Sequence, residues 1–210
     1  MLVIIFIFGL LIGSFLNVVI YRVPRKESIV FPASHCPDCK ERLRVIDLIP
    51  VLSFLVNRGK CRHCGEKINW QYPFVEVLTA VLYLLLYLKF YFQVEFFIYL
   101  VLFSLLIVCS MIDLYFKIIP NVITYPGIVA GFILSLMFHH ITYISLLVGF
   151  FFPAVLLLLI SLLYQKGMGM GDVKLLVMIG VFTGYEIAVM GLFLGSFVGA
   201  VIGIIAMICG

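Results

Sequence analysis

Apolar runs long enough to cross a bilayer follow one another along this chain, and a single polar stretch, residues 23–71, interrupts them. Hydrophobic residues make up 65% of the 210 and charged residues only 11%, where a soluble domain carries roughly 25%. A chain of this length cannot bury so much apolar surface in a water-soluble core. It is expected to be an all-α, polytopic membrane protein in contact with the lipid bilayer. Charge is concentrated, with ten of the fourteen Lys and Arg residues between Arg22 and Lys67. The net charge of +4 therefore sits beside a membrane face, and no nucleic-acid partner is expected.

Residues 2–22 read as a first span ending at "YRVPRK". The segment has neither the basic start nor the small-residue cleavage site of a secretory signal, and no lipidation motif, so a retained helix is expected. Further spans are expected at about 73–91, 95–116, 122–138, 141–164 and 187–209. Pro120 disfavours a helical conformation at Ile119 and so breaks the chain after the third span. "DVKLLVMIGVFTG" is short of the roughly 17 to 25 residues of a full span and reads as a tilted or half-length helix. The total is about seven transmembrane helices. The expected organisation is a first helix, 1–22, a small cytoplasmic domain inserted after it, 23–71, and a membrane domain, 72–210. No internal repeat is legible.

Loops rich in Lys and Arg stay in the cytoplasm, so residues 23–71 are expected inside and the N-terminus outside. Counting spans alternately returns the chain inside at Lys117 and Lys166 and leaves His139 and His140 outside. Asp113 ends the third span and Asp172 begins the sixth. Both carboxylates are then expected at the cytoplasmic membrane surface.

"CPDC" at 36–39 and "CRHC" at 61–64 form two C-x2-C pairs. Each pair can grip one side of a tetrahedral ion, and four thiolates suit Zn2+. Cys36, Cys39, Cys61 and Cys64 leave no open position, so the zinc is expected to be structural, stapling a domain too small to hold itself together. Disulfides are the competing reading, and a reducing cytoplasm argues against them. His35 and His63 are spare ligands that are expected to face solvent. Cys109 and Cys209 lie in apolar helices and behave as small hydrophobes.

Asp113 follows a long apolar run, and an ionisable group inside a span marks a functional site by default. A plain alternative is an ion pair with Lys117 one helical turn later. Asp172 closes "GMGMGD", and its plain alternative is a helix-capping or first-turn acid. Two carboxylates brought within a few ångströms cannot both ionise easily, so one keeps its proton. Such a pair suits an aspartic protease. The charged partner takes a proton from water while the neutral one polarises the scissile carbonyl. Gly169 and Gly171 remove side chains where the extended backbone of a substrate would lie.

"GSFLNVVIYRVPR", the paired C-x2-C motifs, "IDLYFKIIPN" and "GMGDVKLL" together resemble the bacterial prepilin peptidases, the type 4 leader peptidases of pilus, secretion and competence systems. The resemblance covers almost the whole chain, with the motifs in the family's order. The Gly-x-Gly-Asp box also resembles that of archaeal preflagellin peptidases and presenilins, the wider class of intramembrane aspartic proteases. By this resemblance Asp113 and Asp172 match the two catalytic aspartates. It implies cleavage of a short basic leader from prepilin or pseudopilin precursors at the cytoplasmic face of the inner, cytoplasmic membrane. In many members S-adenosylmethionine-dependent methylation of the new N-terminus follows. Members usually carry a further helix beyond the seventh span, and this sequence, ending in "IGIIAMICG", is expected to lack it.

A proton- or cation-coupled transporter or channel subunit is the alternative reading of intramembrane acids. Such folds show repeats and broken helices in both halves, whereas here the acids are expected at one face. A membrane scaffold whose zinc domain recruits a partner would leave the segment Gly169 to Asp172 unexplained.

Overall fold

The computed structural model describes residues 1–163 and 169–209, and its regular elements are helices: α1 Leu2–Arg22, α2 Leu52–Val56, α3 Gln71–Phe90, α4 Val94–Phe116, α5 Asn121–Phe138, α6 Tyr143–Leu163, α7 Met170–Thr183 and α8 Tyr185–Cys209. Among the described residues there is no strand, only two isolated β-bridges within residues 23–71. Helices are what apolar runs must form in lipid, because every backbone N–H and C=O then finds its partner inside the segment. Four of them, spanning Leu2–Arg25, Gln71–Phe90, Val94–Phe116 and Asn121–Phe138, are long and apolar enough to cross a membrane, and α6 and α8 are apolar as well. Large apolar side chains stand exposed along them, among them Ile4, Leu11 and Phe15 on α1 and Val129 and Ile133 on α5. Patches of that extent belong against lipid. The chain is an all-helical, multi-pass membrane protein.

Several boundaries differ from the sequence reading, for local reasons. The third span ends at Phe116 as expected, but the turn is made locally and not by Pro120: Lys117 turns left-handed (φ 55°) and returns its N–H to the Asp113 carbonyl at 2.9 Å. The short helix α7 begins at Met170, before Asp172, with extended Gly169 as its N-cap. Pro126 and Pro153 sit inside α5 and α6 without ending them. Tyr164 and Lys166 lie outside the described residues.

The chain divides into two compact units, Met1–Pro120 and Asn121–Gly210. In the first, α1 packs along α3. A Cβ on Gly9 would come 2.5 Å from the Ala80 Cα, and one on Gly13 would come 2.7 Å from the Glu76 Cα. These two glycines, one turn apart, let the backbones touch, which is how membrane helices gain close packing without a hydrophobic driving force. Ile5, Tyr83, Leu86 and Phe96 form the buried cluster beside this contact, and the Tyr83 hydroxyl meets Ser104 of α4 at 2.7 Å. In the second unit α7 packs against both α5 and α6. Gly149 of α6 lies against Gly180 of α7, and the Ser135 hydroxyl donates to the Val181 carbonyl at 2.6 Å.

The α1–α3 approach makes a direct prediction. Gly13→Leu should destabilise the detergent-solubilised chain by roughly 1–3 kcal/mol, the cost of overpacking a tight contact. Gly191→Leu, where nothing lies within 4 Å of a Cβ, should leave the thermal unfolding midpoint unchanged. Equal midpoints for both variants would contradict the packing.

Candidate functional site

The polar insert is tied to the membrane body by buried side chains. Arg22, at the end of α1 and 5% exposed, donates to the carbonyls of Ser28 (2.8 Å), Ile29 (3.3 Å), Pro32 (2.7 Å) and Ala33 (3.5 Å). A buried guanidinium needs such acceptors, and here they draw the first loop of the insert over the helix end.

Beyond that loop the two C-x2-C pairs fold alike. The Cys36 N–H donates to the Glu41 carbonyl at 3.0 Å and the Lys40 N–H to the Cys36 carbonyl at 2.9 Å. The second pair repeats this, Cys61 to Glu66 at 2.8 Å and Gly65 to Cys61 at 3.0 Å. In each, the residue after the second cysteine turns left-handed, Lys40 at φ 58° and Gly65 at φ 75°. An antiparallel bridge flanks each knuckle, His35 with Arg42 and Lys60 with Lys67.

This geometry brings Cys36, Cys39, Cys61 and Cys64 together, all four sulfurs lying within 4.8 Å of one another. They are free thiols, and Cys36 and Cys64 Sγ stand 3.9 Å apart. Sulfurs bound tetrahedrally at about 2.3 Å would be spaced by about 3.8 Å, so the donor set fits one metal ion. Burial pushes the Cys36 thiol up to about 12. Hydrogen bonding from the Cys64 backbone, outweighing burial, brings Cys61 down to about 7. His63 is exposed and His35 half-buried with its Nδ1 3.0 Å from the Ala33 carbonyl, so neither joins the cluster.

Each aspartate is placed at a helix end. Asp113 lies half-buried in the last turn of α4. Among the described residues the one ion pair joins Arg62 to Asp47 at 3.3 Å, so Lys117 does not hold Asp113 in a salt bridge. Asp172 is exposed in the first turn of α7, where a carboxylate is favoured by the helix dipole. Its N–H donates to the Gly169 carbonyl at 3.1 Å. A Cβ on Gly169 would lie 3.5 Å from the Asp172 Oδ2. Two residues on, the Lys174 ammonium donates to Asn121 Oδ1 at 2.9 Å and lies 4.9 Å from the Tyr125 ring centre.

Two polar groups at the α1–α3 contact escaped the sequence reading. Glu76 is 7% exposed and accepts the Val51 N–H at 2.8 Å, with Ser14 beside it. Asn17 is 2% exposed; its Nδ2 donates to the Tyr72 carbonyl at 3.0 Å while its Oδ1 has no partner among the described residues. Both line a cavity of about 450 Å3 between the two helices and the insert. The signal was present, since an acid within "YPFVEVLTAVLY" is as costly as Asp113.

Comparison with known proteins matches both parts of the chain to described families. The Bacterial Peptidase A24 N-terminal domain matches residues 7–90, and the Type IV leader peptidase family matches residues 100–204. The chain is 36% identical over 214 residues to the prepilin leader peptidase/N-methyltransferase of Bacillus subtilis (strain 168), covering 100% of this chain and 85% of that protein. It is 38% identical to the Myxococcus xanthus (strain DK1622) protein of the same name, over 98% of this chain and 63% of the relative. With that from Pseudomonas putida it shares 32% identity over 94% of this chain and 78% of the relative. No solved structure matches. The chain belongs to the type IV leader peptidase family.

The four-thiol cluster should carry about one metal ion per chain in elemental analysis of the purified protein. Cys36→Ser and Cys61→Ser should each abolish that content, and acidification should release the ion because thiolates must stay deprotonated to bind. A metal-free protein with two disulfides would contradict the assignment.

Proposed function

We propose that this chain is a membrane endopeptidase that removes the short basic leader from type IV prepilin-like precursors, with Asp113 and Asp172 as its catalytic pair. The observation that carries this reading is Asp172 in the first turn of α7, directly after Gly169 to Gly171, in a leader peptidase family member. The ionised aspartate would take a proton from the attacking water while the protonated one polarises the scissile carbonyl, each returning to its starting state as the amine leaves. Gly169 and Gly171 serve as the substrate slot. A side chain on Gly169 would stand against the Asp172 carboxylate, so the glycine keeps its approach clear.

The substrate class is the prepilin or pseudopilin precursor, whose apolar stem lies in the bilayer and whose basic leader lies in water. Residues 1–22 anchor the chain, 23–71 form the cytoplasmic domain, and 72–210 carry the peptidase. The ion of the four-cysteine cluster is Zn2+, chosen by thiolate ligands and tetrahedral spacing. It holds the insert folded and takes no part in cleavage. S-adenosylmethionine is the methyl donor for a second step on the new N-terminus, the activity carried in the relatives' names. The enzyme sits in the cytoplasmic membrane with its N-terminus outside and the insert and active site at the cytoplasmic face, as the crowding of Lys and Arg into the insert supports.

Asp113→Asn and Asp172→Asn should each lower cleavage of a short-leader pilin precursor by at least about 10²–10⁴-fold, the share general acid–base catalysis supplies. Expression and metal content should be unchanged. Lys117→Met should stay active, since no salt bridge joins it to Asp113. Retained cleavage in both Asn variants would overturn the mechanism. For the topology, an impermeant amine reagent on sealed right-side-out vesicles should leave exposed Lys40, Lys60 and Lys67 unmodified until the vesicles are opened. Labelling of intact vesicles would invert the orientation.

A further inference from the structure

The cavity between α1, α3 and the insert is a built site that the cleavage reaction does not use. Its deep wall carries two acceptors, Glu76 and Asn17, each more than nine-tenths buried. Asn17 and Ser14 are one turn apart on α1, and Tyr72 and Glu76 one turn apart on α3. The Asn17–Tyr72 hydrogen bond and the Ser14–Glu76 contact therefore stack at neighbouring levels of the helix pair. The Asn17 side chain lines the cavity; its Nδ2 donates to the Tyr72 carbonyl, and its buried Oδ1 has no partner among the described residues. A carboxylate offers about four acceptor sites, so the Val51 N–H and Ser14 leave Glu76 with capacity to spare.

Neither acceptor is matched by a cation among the described residues, where the one ion pair is Arg62 with Asp47. A buried carboxylate without a counter-charge is costly, and it selects a ligand that brings positive charge and N–H donors to one end. Of the remaining wall, Tyr72 offers a face on which a planar ring can rest, Tyr21 and Phe116 already carry the Arg25 guanidinium, and Lys60, Arg62 and Lys67 add basic groups suited to the carboxylate of such a ligand. Arg25 stands at that side, its guanidinium carbon 3.9 Å from the Tyr21 ring centre. About 450 Å3 is room for a small cofactor and within the usual range of such sites.

We propose that this cavity is the binding site of the methyl donor, S-adenosylmethionine, with Glu76 and Asn17 as its cation-receiving end; the assignment rests on the function proposed above. The residues fit the group in charge, in donor demand and in aromatic surface. Glu76 is a binding residue here and is not assigned to the peptidase.

Two measurements on the full, metal-loaded chain in detergent test this. Titration with S-adenosylmethionine should show binding that Glu76→Gln and Asn17→Ala each weaken by about tenfold or more, the scale of a lost charge-assisted hydrogen bond. Metal content and helicity should match the parent chain. Gln keeps an acceptor for the Val51 N–H, so a purely structural Glu76 would leave the titration unchanged and overturn the site. Photolabelling of the unaltered chain with an azidoadenine analogue of the donor does not depend on any variant folding. Labelled peptides should come from α1, α3 or the insert, and labels confined to α5–α8 would overturn the proposal. So would the absence of donor binding by a chain that still removes leaders, a result that leaves the peptidase reading standing. Donor binding with the predicted label but no leader cleavage would support the site and count against the peptidase.

Discussion

The N-terminal unit depends on how closely α1 can approach α3. With Gly9 and Gly13 against Ala80 and Glu76, no side chain separates the backbones. Only at that distance can Asn17 reach the Tyr72 carbonyl and Ser14 lie beside Glu76. The insert is hung from the same contact, because Glu76 accepts the Val51 N–H and Arg22 gathers the carbonyls of residues 28–33. Val51 holds φ 61°, a conformation β-branched residues avoid, so the hydrogen bond to Glu76 helps hold an otherwise unfavourable turn. Closeness in the membrane thus fixes the fold of a domain outside it. Larger residues at positions 9 and 13 would force apart the two helices that line the cavity.

What was legible in the sequence was whatever local chemistry forces. Four cysteines in two C-x2-C pairs admit few arrangements, and the structure gathers their sulfurs within 4.8 Å. The spans were legible because lipid leaves an apolar run no alternative to a helix. The shortness of α7 was legible because glycines bound it on both sides. The N-cap at Gly169 was not, since glycine permits helix and extended backbone nearly equally and the choice falls to neighbours. The end of α4 at Phe116 was legible but its cause was not: a lysine takes the left-handed position that glycine usually fills.

The misses share a physical cause. Arg22 reads in sequence as one more positive charge at a membrane edge, yet it is buried and carries the first loop of the insert. Glu76 and Asn17 lie in different apolar runs, and only packing reveals that both line one cavity. The plain alternative for Asp113, an ion pair with Lys117, rested on spacing alone, and spacing rules assume that the helix continues. Here the helix ends between the two, and the left-handed turn at Lys117 uses its backbone, not its ammonium, to bind Asp113. A sequence pattern states which contacts are affordable, and the backbone decides which are made.

The length of α7 bears on how a buried peptide bond could be cut. Fourteen residues rise about 21 Å, against the roughly 30 Å of a bilayer's hydrocarbon core. The C-terminal end of α7 is the fixed one. Ser135 and His140 hold the carbonyls of Val181 and Phe182, and Gly180 rests on Gly149. A helix of that length cannot reach both surfaces of the core. If the fixed end lies near the outer surface, as the proposed topology has it, the first turn stops about 9 Å short of the inner one. Asp172 would then be recessed below the membrane surface, with the Lys174 ammonium satisfied nearby by Asn121 and Tyr125. A carboxylate at that depth needs water admitted to it, and residues without side chains such as Gly169 leave the space. A precursor whose apolar stem is embedded and whose leader is basic presents its scissile bond at the same depth, so a truncated helix would do the positioning that a full span could not.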